Sequence, residues 1–232
     1  MNFPQPLVHG RLLRRIKRFL AEVELDNGEV VFAHCTNSGS MKSCLETGAE
    51  VYLTPVNEPK RRTQFTWEMI KINGGWVGIN TSNPNKIAYK AIAEGAIPQL
   101  SGYTKVQAEV TFGDSRFDVY AENETEKCFV EVKNVSMKEG KYALFPDAVT
   151  TRGQKHLTTL MAVKAAGMRA VMLYIVQRTD VEVFAPAKQI DADYARLLKT
   201  AFDSGVEIIV LQVEVTPDGI YLKKTLPVEI EI

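Results

Sequence analysis

The sequence predicts an all-β N-terminal domain followed by an α/β domain built on a mixed sheet, and three observations carry that prediction. Short runs rich in β-branched and aromatic residues, separated by tight turns, fill the first third of the chain. A polar connector over residues 80–85 then precedes the first clear helical period. Beyond it the order is three strands, helix, strand, helix, strand, which is a layered α/β arrangement. The chain divides accordingly into residues 1–82 and 83–232.

A chain of 232 residues, 45% hydrophobic and 24% charged, has the composition of a globular protein with room for one large core or two smaller ones. Its 28 Lys and Arg balance 28 Asp and Glu, so no overall basic excess announces nucleic acid, and any anion-binding surface must be local. Cys35, Cys44 and Cys128 are odd in number and widely spaced. They fit neither a disulfide framework nor a zinc site and point to a reducing compartment. The N-terminus lacks the apolar core of a signal peptide, and the longest apolar run, Ala170 to Val176, is too short to span a bilayer. A cytoplasmic protein with no membrane partner is expected.

In the first third, Leu7 to Ile16 mixes apolar and basic residues. Phe19 to Leu25 and Glu29 to Ala33 enclose Asp26-Asn27-Gly28, a strong hairpin turn. A polar loop, His34 to Ser40, leads to a short helix around Met41 to Leu45. Val51 to Pro55, Thr63 to Ile72 and Trp76 to Ile79 give further strands, with Asn73-Gly74-Gly75 as another turn. Several short strands interrupted by one small helix predict a Greek-key barrel of the OB type.

In the second domain Asn83 caps a helix, Pro84 takes its first position and Gly95 ends it, with Ile87, Ala88, Ala91 and Ile92 as the buried stripe. A meander follows: Lys105 to Phe112, Arg116 to Tyr120, and Cys128 to Asn134. Lys138 to Lys141 reads as a polar loop and Phe145-Pro146-Asp147 as a turn. A helix opens at Thr151 or Gly153 and ends at Gly167. Arg169 to Val176 is a central strand buried on both faces. Ala192 to Ser204 is a helix closed by Gly205, Val206 to Val213 another buried strand, and Ile220 to Leu222 and Val228 to Ile230 are edge elements.

The chemistry concentrates in the meander. Side chains alternate across a strand, so Glu131 and Lys133 share one face while Val130 and Val132 take the other. If Asp118 on the preceding strand points to that same face, two carboxylates and an ammonium converge. Paired carboxylates on rigid strands suit Mg²⁺, a hard cation that takes oxygen ligands and polarises a phosphoryl group. Glu and Lys alternating with Val also occur on the wet face of ordinary strands. Glu109 is a candidate to support the same patch.

Two basic clusters, Arg11, Arg14, Arg15, Lys17, Arg18 and Lys60, Arg61, Arg62, lie beside Phe19, Phe65 and Trp67. Cations interleaved with stacking surfaces suit a nucleic-acid backbone and unstacked bases. The loop Thr36-Asn37-Ser38-Gly39-Ser40 offers amides and the Ser38 and Ser40 hydroxyls to a phosphate. At the start of the second-domain helix, Gln154 and His156 lie near amides that favour anions, and Arg152 and Lys155 add charge. Arg116 completes the candidate DNA contacts. His156 is a candidate base or ligand, though a hydrogen-bonded structural histidine fits its position equally.

The meander with its acids resembles the PD-(D/E)XK nuclease-like core, with Phe117-Asp118 in place of the Pro-Asp element and Glu131-Val132-Lys133 as the second element. By that resemblance Asp118, Glu131 and the Val132 carbonyl hold Mg²⁺, Lys133 serves the attacking water, and Gln154 matches a helix glutamine of some such nucleases, without its aromatic partner (Thr158). More specifically, the chain resembles the sugar fermentation stimulation protein A family. The resemblance is carried by Thr36-Asn37-Ser38-Gly39-Ser40-Met41, Val77-Gly78-Ile79-Asn80-Thr81 and Ser115-Arg116-Phe117-Asp118. It continues through Val130-Glu131-Val132-Lys133-Asn134-Val135, Phe145-Pro146-Asp147-Ala148-Val149-Thr150, Arg152-Gly153-Gln154-Lys155-His156-Leu157 and Val176-Gln177-Arg178. It implies an OB-type domain, a nuclease-like domain, DNA binding without marked sequence preference, and a regulatory link to sugar (maltose) metabolism. Three functions remain open at this point: a DNA-binding regulator, a Mg²⁺-dependent endonuclease, and a sugar- or phosphate-sensing module. The sequence leaves the oligomeric state open, a homodimer included.

Overall fold

The computed structural model describes residues 1–230. Six strands form the N-terminal sheet: β1 (Val8–Ile16), β2 (Leu20–Leu25), β3 (Val30–His34), β4 (Glu50–Pro55), β5 (Phe65–Ile72) and β6 (Gly75–Gly78). Their order is β3-β2-β1-β4-β5-β6, and β3 also pairs in parallel with β5 through Ala33–Phe65 and His34–Thr66, closing β1 to β5 into a five-stranded barrel. Period-two alternation builds its interior: Ala21, Val23, Val31 and Ala33 point in, whereas Glu22 and Phe32 face solvent or the rim. Gly28 supplies the left-handed conformation, φ 84°, that the β2–β3 turn requires. The helix expected near Met41 is a single 3₁₀ turn, Lys42–Cys44.

The second sheet is built from β7 (Lys105–Phe112), β8 (Ser115–Glu122), β9 (Lys127–Val135), β12 (Arg169–Val176), β14 (Glu207–Thr216) and β15 (Gly219–Thr225). The order is β15-β14-β12-β9-β8-β7, with β12 parallel to both β9 and β14 and the outer pairs antiparallel. Helix α1 (Asn83–Ala93) covers one face, where Ile87, Ala88, Ala91 and Ile92 join a core with Val119, Val130, Val132 and Leu173. Helices α2 (Thr151–Ala165) and α3 (Ala192–Asp203) cover the other, where Leu157, Leu160 and Leu198 pack with Phe129, Met172 and Tyr174. This is the barrel followed by a mixed-sheet α/β domain that the sequence predicts.

Several local readings are corrected. Ser82, not Asn83, occupies the N-cap of α1; Asn83 is buried and its Nδ2 donates to Glu68 Oε2 at 3.0 Å. The polar run 138–141 is not a loop: Lys138 and Glu139 belong to β10 (Met137–Glu139), and residues 140–141 turn the chain into β11 (Tyr142–Phe145). That hairpin is extended in parallel by β13 (Val183–Pro186), a four-residue strand that no turn signal or alternation marks in the sequence. The first residues lie against the second domain rather than the barrel: the Met1 ammonium donates to Ile220 O at 2.6 Å and Asn2 bridges Gly219. All three cysteines are buried and free, so no disulfide contributes. Among the described residues no helix is long and apolar enough to cross a membrane.

The two domains are tied by a buried ion pair. Arg178, fully buried just beyond β12, donates to Ser136 O at 2.7 Å, to Asp180 Oδ1 at 2.7 Å and Oδ2 at 2.9 Å, and to Ser43 Oγ of the barrel at 3.3 Å. Asp180 also accepts from Lys138 at 2.8 Å and from Asn73 of the barrel at 3.0 Å. Beside it, the Gly78 amide donates to Gln177 O at 2.8 Å, and a Cβ at Gly78 would lie only 2.4 Å from Gln177 Oε1. This joint sets the barrel loops against the acidic end of β8 and β9.

Candidate metal and nucleic-acid site

The β8–β9 pairing runs in register from Glu122–Lys127 to Val119–Val130. At the next position the Asp118 carboxylate accepts the Val132 amide at 2.8 Å through Oδ2. Its Oδ1 accepts from Asn85 Nδ2, in the first turn of α1, at 2.6 Å. Glu131 projects away from Val130 and Val132, as alternation requires, and is 2% exposed. Its Oε1 takes hydrogen bonds from Lys133 Nζ and from His156 Nδ1 of α2, while Oε2 is buried without a partner. Because an ionised carboxylate only accepts, Nδ1 must carry the His156 proton. Lys133 Nζ lies 3.4 Å from that nitrogen, so the three groups form one cluster.

The electrostatics follow from this packing. Burial, and then the charge of Glu131, raise the Asp118 carboxyl above its ordinary value. Burial also works to raise Glu131, but His156 and Lys133 outweigh it and the net shift is downward. Two mutually repelling carboxylates, one with an orphaned oxygen, form an oxygen donor set with an unmet demand for positive charge. That set fits a hard divalent cation, which takes carboxylate and carbonyl oxygens and completes its shell with water. Among the described residues no group of three or more His, Cys, Asp and Glu side chains is arranged to hold a metal. A cation here would therefore rest on Asp118, Glu131 and main-chain oxygen, with Val132 between them on the cleft wall.

The pair opens into a cleft of about 540 Å³ bounded by both domains. The barrel contributes Arg18 and the loop Thr36 to Gly39; the sheet contributes Asp118 and Glu131 to Asn134; the segment between β11 and α2 contributes Phe145 to Thr150, with Arg152 and Gly153 following. The walls approach where Met41 N donates to Asp147 Oδ2 at 3.4 Å and a Cβ on Gly39 would fall 2.0 Å from that oxygen.

The expected site residues separate into two groups. Asp118, Glu131, Val132, Lys133, Arg18, Ser38 and Arg152 line the cleft. Gln154 does not: its Nε2 donates to both oxygens of Asp191 (2.9 and 3.1 Å), which in turn caps α3 through Tyr194 N and accepts the Thr150 amide. Its amide nitrogen thus braces α2 against Asp191, the cap of α3. Arg15 donates to the carbonyls of Arg18, Asn37 and Gly39 at 3.0, 2.6 and 3.0 Å, with Ser40 O at 3.4 Å, so its guanidinium is occupied in shaping the loop after β3. Ser40 does not line the cleft.

The other cations are placed less favourably. Arg14 pairs with Glu22, Arg11 donates to Gly48 O at 3.1 Å, and Lys17 sits in the β1–β2 turn with φ 47°. Lys155 pairs with Asp114 at 3.0 Å, Arg116 with Glu109 at 3.5 Å, and Arg61 donates to Thr66 Oγ1 at 3.4 Å. Lys60 and Arg62 are exposed outside the cleft. Glu109, exposed and held at φ 57° within β7, pairs with Arg116 at 3.5 Å and does not join the acids. Trp67 is wholly buried, with Nε1 donating to Met69 O at 3.0 Å, and Phe65 packs on the barrel core, so of the three aromatics only Phe19, 56% exposed, offers a stacking face. Phe32, 47% exposed, is a second such face that the alternating β3 pattern could have revealed. Asn85, the partner of Asp118, reads in the sequence as part of a connector, and nothing local marks it.

Comparison with known proteins gives a consistent result over nearly the whole chain. Residues 13–79 match the description "SfsA N-terminal OB domain" and residues 82–219 match "Sugar fermentation stimulation protein RE domain". The chain is 48% identical over 229 residues to a sugar fermentation stimulation protein homolog of Geotalea uraniireducens (98% of this chain, 99% of the relative). It is 49% identical over 229 residues to one of Pelobacter propionicus, again covering 98% and 99%. Among solved structures, Pyrococcus furiosus SfsA in complex with Ca²⁺ superposes with a TM-score of 0.89 at 31% identity, covering 99% of this chain and 98% of the other.

Proposed function

Because the chain belongs to the sugar fermentation stimulation protein family, we propose that it binds DNA through phosphate contacts, without marked sequence preference, and holds a divalent cation between Asp118 and Glu131. The observation that carries this reading is the buried, unpartnered Oε2 of Glu131, a residue that lines the same cleft as Asp118, Arg18 and Arg152. The Ca²⁺ complex of the Pyrococcus furiosus relative supports a divalent-cation site in the family. Arg18 and Arg152 draw a phosphodiester strand across the cleft, the Ser38 hydroxyl meets its oxygens, and Phe19, next to Arg18, offers a face on which a base stacks. In this setting the natural cation is Mg²⁺, and the family link to sugar (maltose) metabolism makes a role in transcription regulation the expected physiological context.

A second reading, Mg²⁺-dependent endonuclease, is favoured by one specific observation: the Lys133 ammonium stands at the cleft wall bonded to Glu131. Asp118 and Glu131 would hold the cation, which would supply Lewis-acid polarisation of the phosphodiester and neutralise charge in the transition state. Lys133 orients a water or a phosphate oxygen from a fixed position, because Glu131 holds its tip. Gln154, occupied by Asp191, takes no part.

A salt titration of DNA affinity tests the first reading. We expect log affinity to fall linearly with log salt, with a slope of about −0.7 to −0.9 per phosphate contacted. A flat response, or no binding at low salt, would overturn it. Incubating plasmid with wild type and Asp118→Ala in Mg²⁺ or Mn²⁺ tests the second: nicking by wild type alone supports hydrolysis, and equal nicking by both, or none, opposes it.

A further inference from the structure

The two carboxylates are held by different helices on opposite faces of the sheet, and this division is the basis of a further assignment. Asn85 opens α1, whose apolar stripe packs on the face containing Val119, Val130 and Val132. His156 lies one turn into α2, which packs on the face containing Phe117 and Phe129. Each reaches the edge of the meander and contacts one carboxylate: Asn85 Nδ2 donates to Asp118 Oδ1 at 2.6 Å, and His156 Nδ1 donates to Glu131 Oε1. His156 is 5% exposed and its ring stands 6.2 Å from that of Phe117, so it has little freedom to leave this position.

We infer that Asn85 and His156 are positioning residues that fix the two carboxylates from opposite sides of the sheet, so that Glu131 Oε2 is turned toward the cation. The inference rests on the cation reading above and adds to it. A carboxylate rotates freely about its last bond unless one oxygen is pinned. With Oε1 occupied by His156 and Lys133, Oε2 alone is left unpartnered, and the buried orphan is the result. Asp118 is pinned at both oxygens, by Asn85 and by the Val132 amide, so the lone pair left on each is likewise fixed in direction. Outer partners of this kind set ligand orientation and typically carry about 10- to 100-fold in metal affinity.

The test is the dissociation constant for Mn²⁺, read from the electron paramagnetic resonance signal of the free ion, on the full chain. We expect His156→Phe and Asn85→Ala each to weaken binding by about 10- to 100-fold. His156→Asn, which keeps a donor near the position of Nδ1, should recover most of the affinity, and Thr158→Ala on the same helix should leave it unchanged. Circular dichroism melts run without metal identify any variant that fails to fold; for His156 the folded Asn variant then carries the comparison against His156→Gln, whose donor falls at the wrong depth and should bind more weakly than Asn. Wild-type binding with equal affinity in folded Asn85→Ala and His156 variants would overturn the positioning role while leaving the cation site intact. Absence of Mn²⁺ binding by wild type would overturn the cation reading itself.

Discussion

Replacing Arg178 by Met should cost about 3 kcal/mol of stability, near the lower end of the range for removing one partner of a buried ion pair. The figure follows from what the substitution strands. The Ser136 carbonyl, paired with Arg178 at 2.7 Å, would keep only the longer bond from Ser43 Oγ at 3.4 Å, and Asp180 would lose its bidentate partner at 2.7 and 2.9 Å. Asp180 would keep Lys138 at 2.8 Å and Asn73 at 3.0 Å, and its side chain is 22% exposed, which keeps the loss from reaching the upper end. Met fills much of the apolar stem of Arg178, so no large cavity is added. For a chain of this size about 3 kcal/mol corresponds to a fall in Tm of about 6–12 °C. Urea unfolding with tryptophan fluorescence measures it. The double variant Arg178→Met, Asp180→Leu should regain at least half of the loss, because replacing both charges removes the desolvation penalty along with the attraction. A loss below about 1 kcal/mol, the range of an exposed pair, would refute the view that this pair holds the domains together.

Three further outcomes follow from the same geometry. Burial opposes ionisation of Asp180, but Arg178, Lys138 and Asn73 outweigh it and hold its carboxyl well below the usual range. Its stabilising contribution is therefore complete above the unfolded value near about pH 4 and is lost as pH falls below it; acid titration of stability should show a steep arm there that Asp180→Asn flattens, and identical arms would contradict this. Phe19→Ala should weaken binding of single-stranded DNA by about 1–3 kcal/mol while leaving the melt within a degree or two, and anisotropy showing unchanged affinity would remove Phe19 from the interface. Gly78→Ala forces a Cβ to 2.4 Å from Gln177 Oε1 and 2.9 Å from Gln177 Cβ, so it should cost about 1–3 kcal/mol in a thermal melt; a neutral result would mean that Gln177 can turn aside despite its bond to Asn134 Oδ1.

The architecture was legible where period and turn chemistry agreed. Asp26-Asn27-Gly28 marked the β2–β3 hairpin, the Ile87 to Ile92 stripe marked α1, and the apolar run into Val176 marked the central strand. The β10–β11–β13 sheet was not legible, because its strands are three or four residues long and Lys138 and Glu139 carry the polarity of a loop. At the site, alternation alone places Glu131 and Lys133 together. What sequence spacing does not carry is the set of side-chain partners drawn from distant elements: Asn85 for Asp118, His156 for Glu131, Asp191 for Gln154. The same limit applies to cations. A cluster such as Arg11, Arg14, Arg15, Lys17 and Arg18 reads as one basic face, yet only Arg18 lines the cleft: Glu22, Gly48 O and the loop carbonyls take the three other arginines, and Lys17 sits in the β1–β2 turn.

Crystals soaked in Mn²⁺ and measured at its absorption edge test the central proposal most directly. The account predicts an anomalous peak at about 2.1 Å from an Asp118 oxygen and from Glu131 Oε2, the distance of a hard divalent ion to carboxylate oxygen. A peak elsewhere with both carboxylates bare, or no peak at millimolar Mn²⁺, would contradict it.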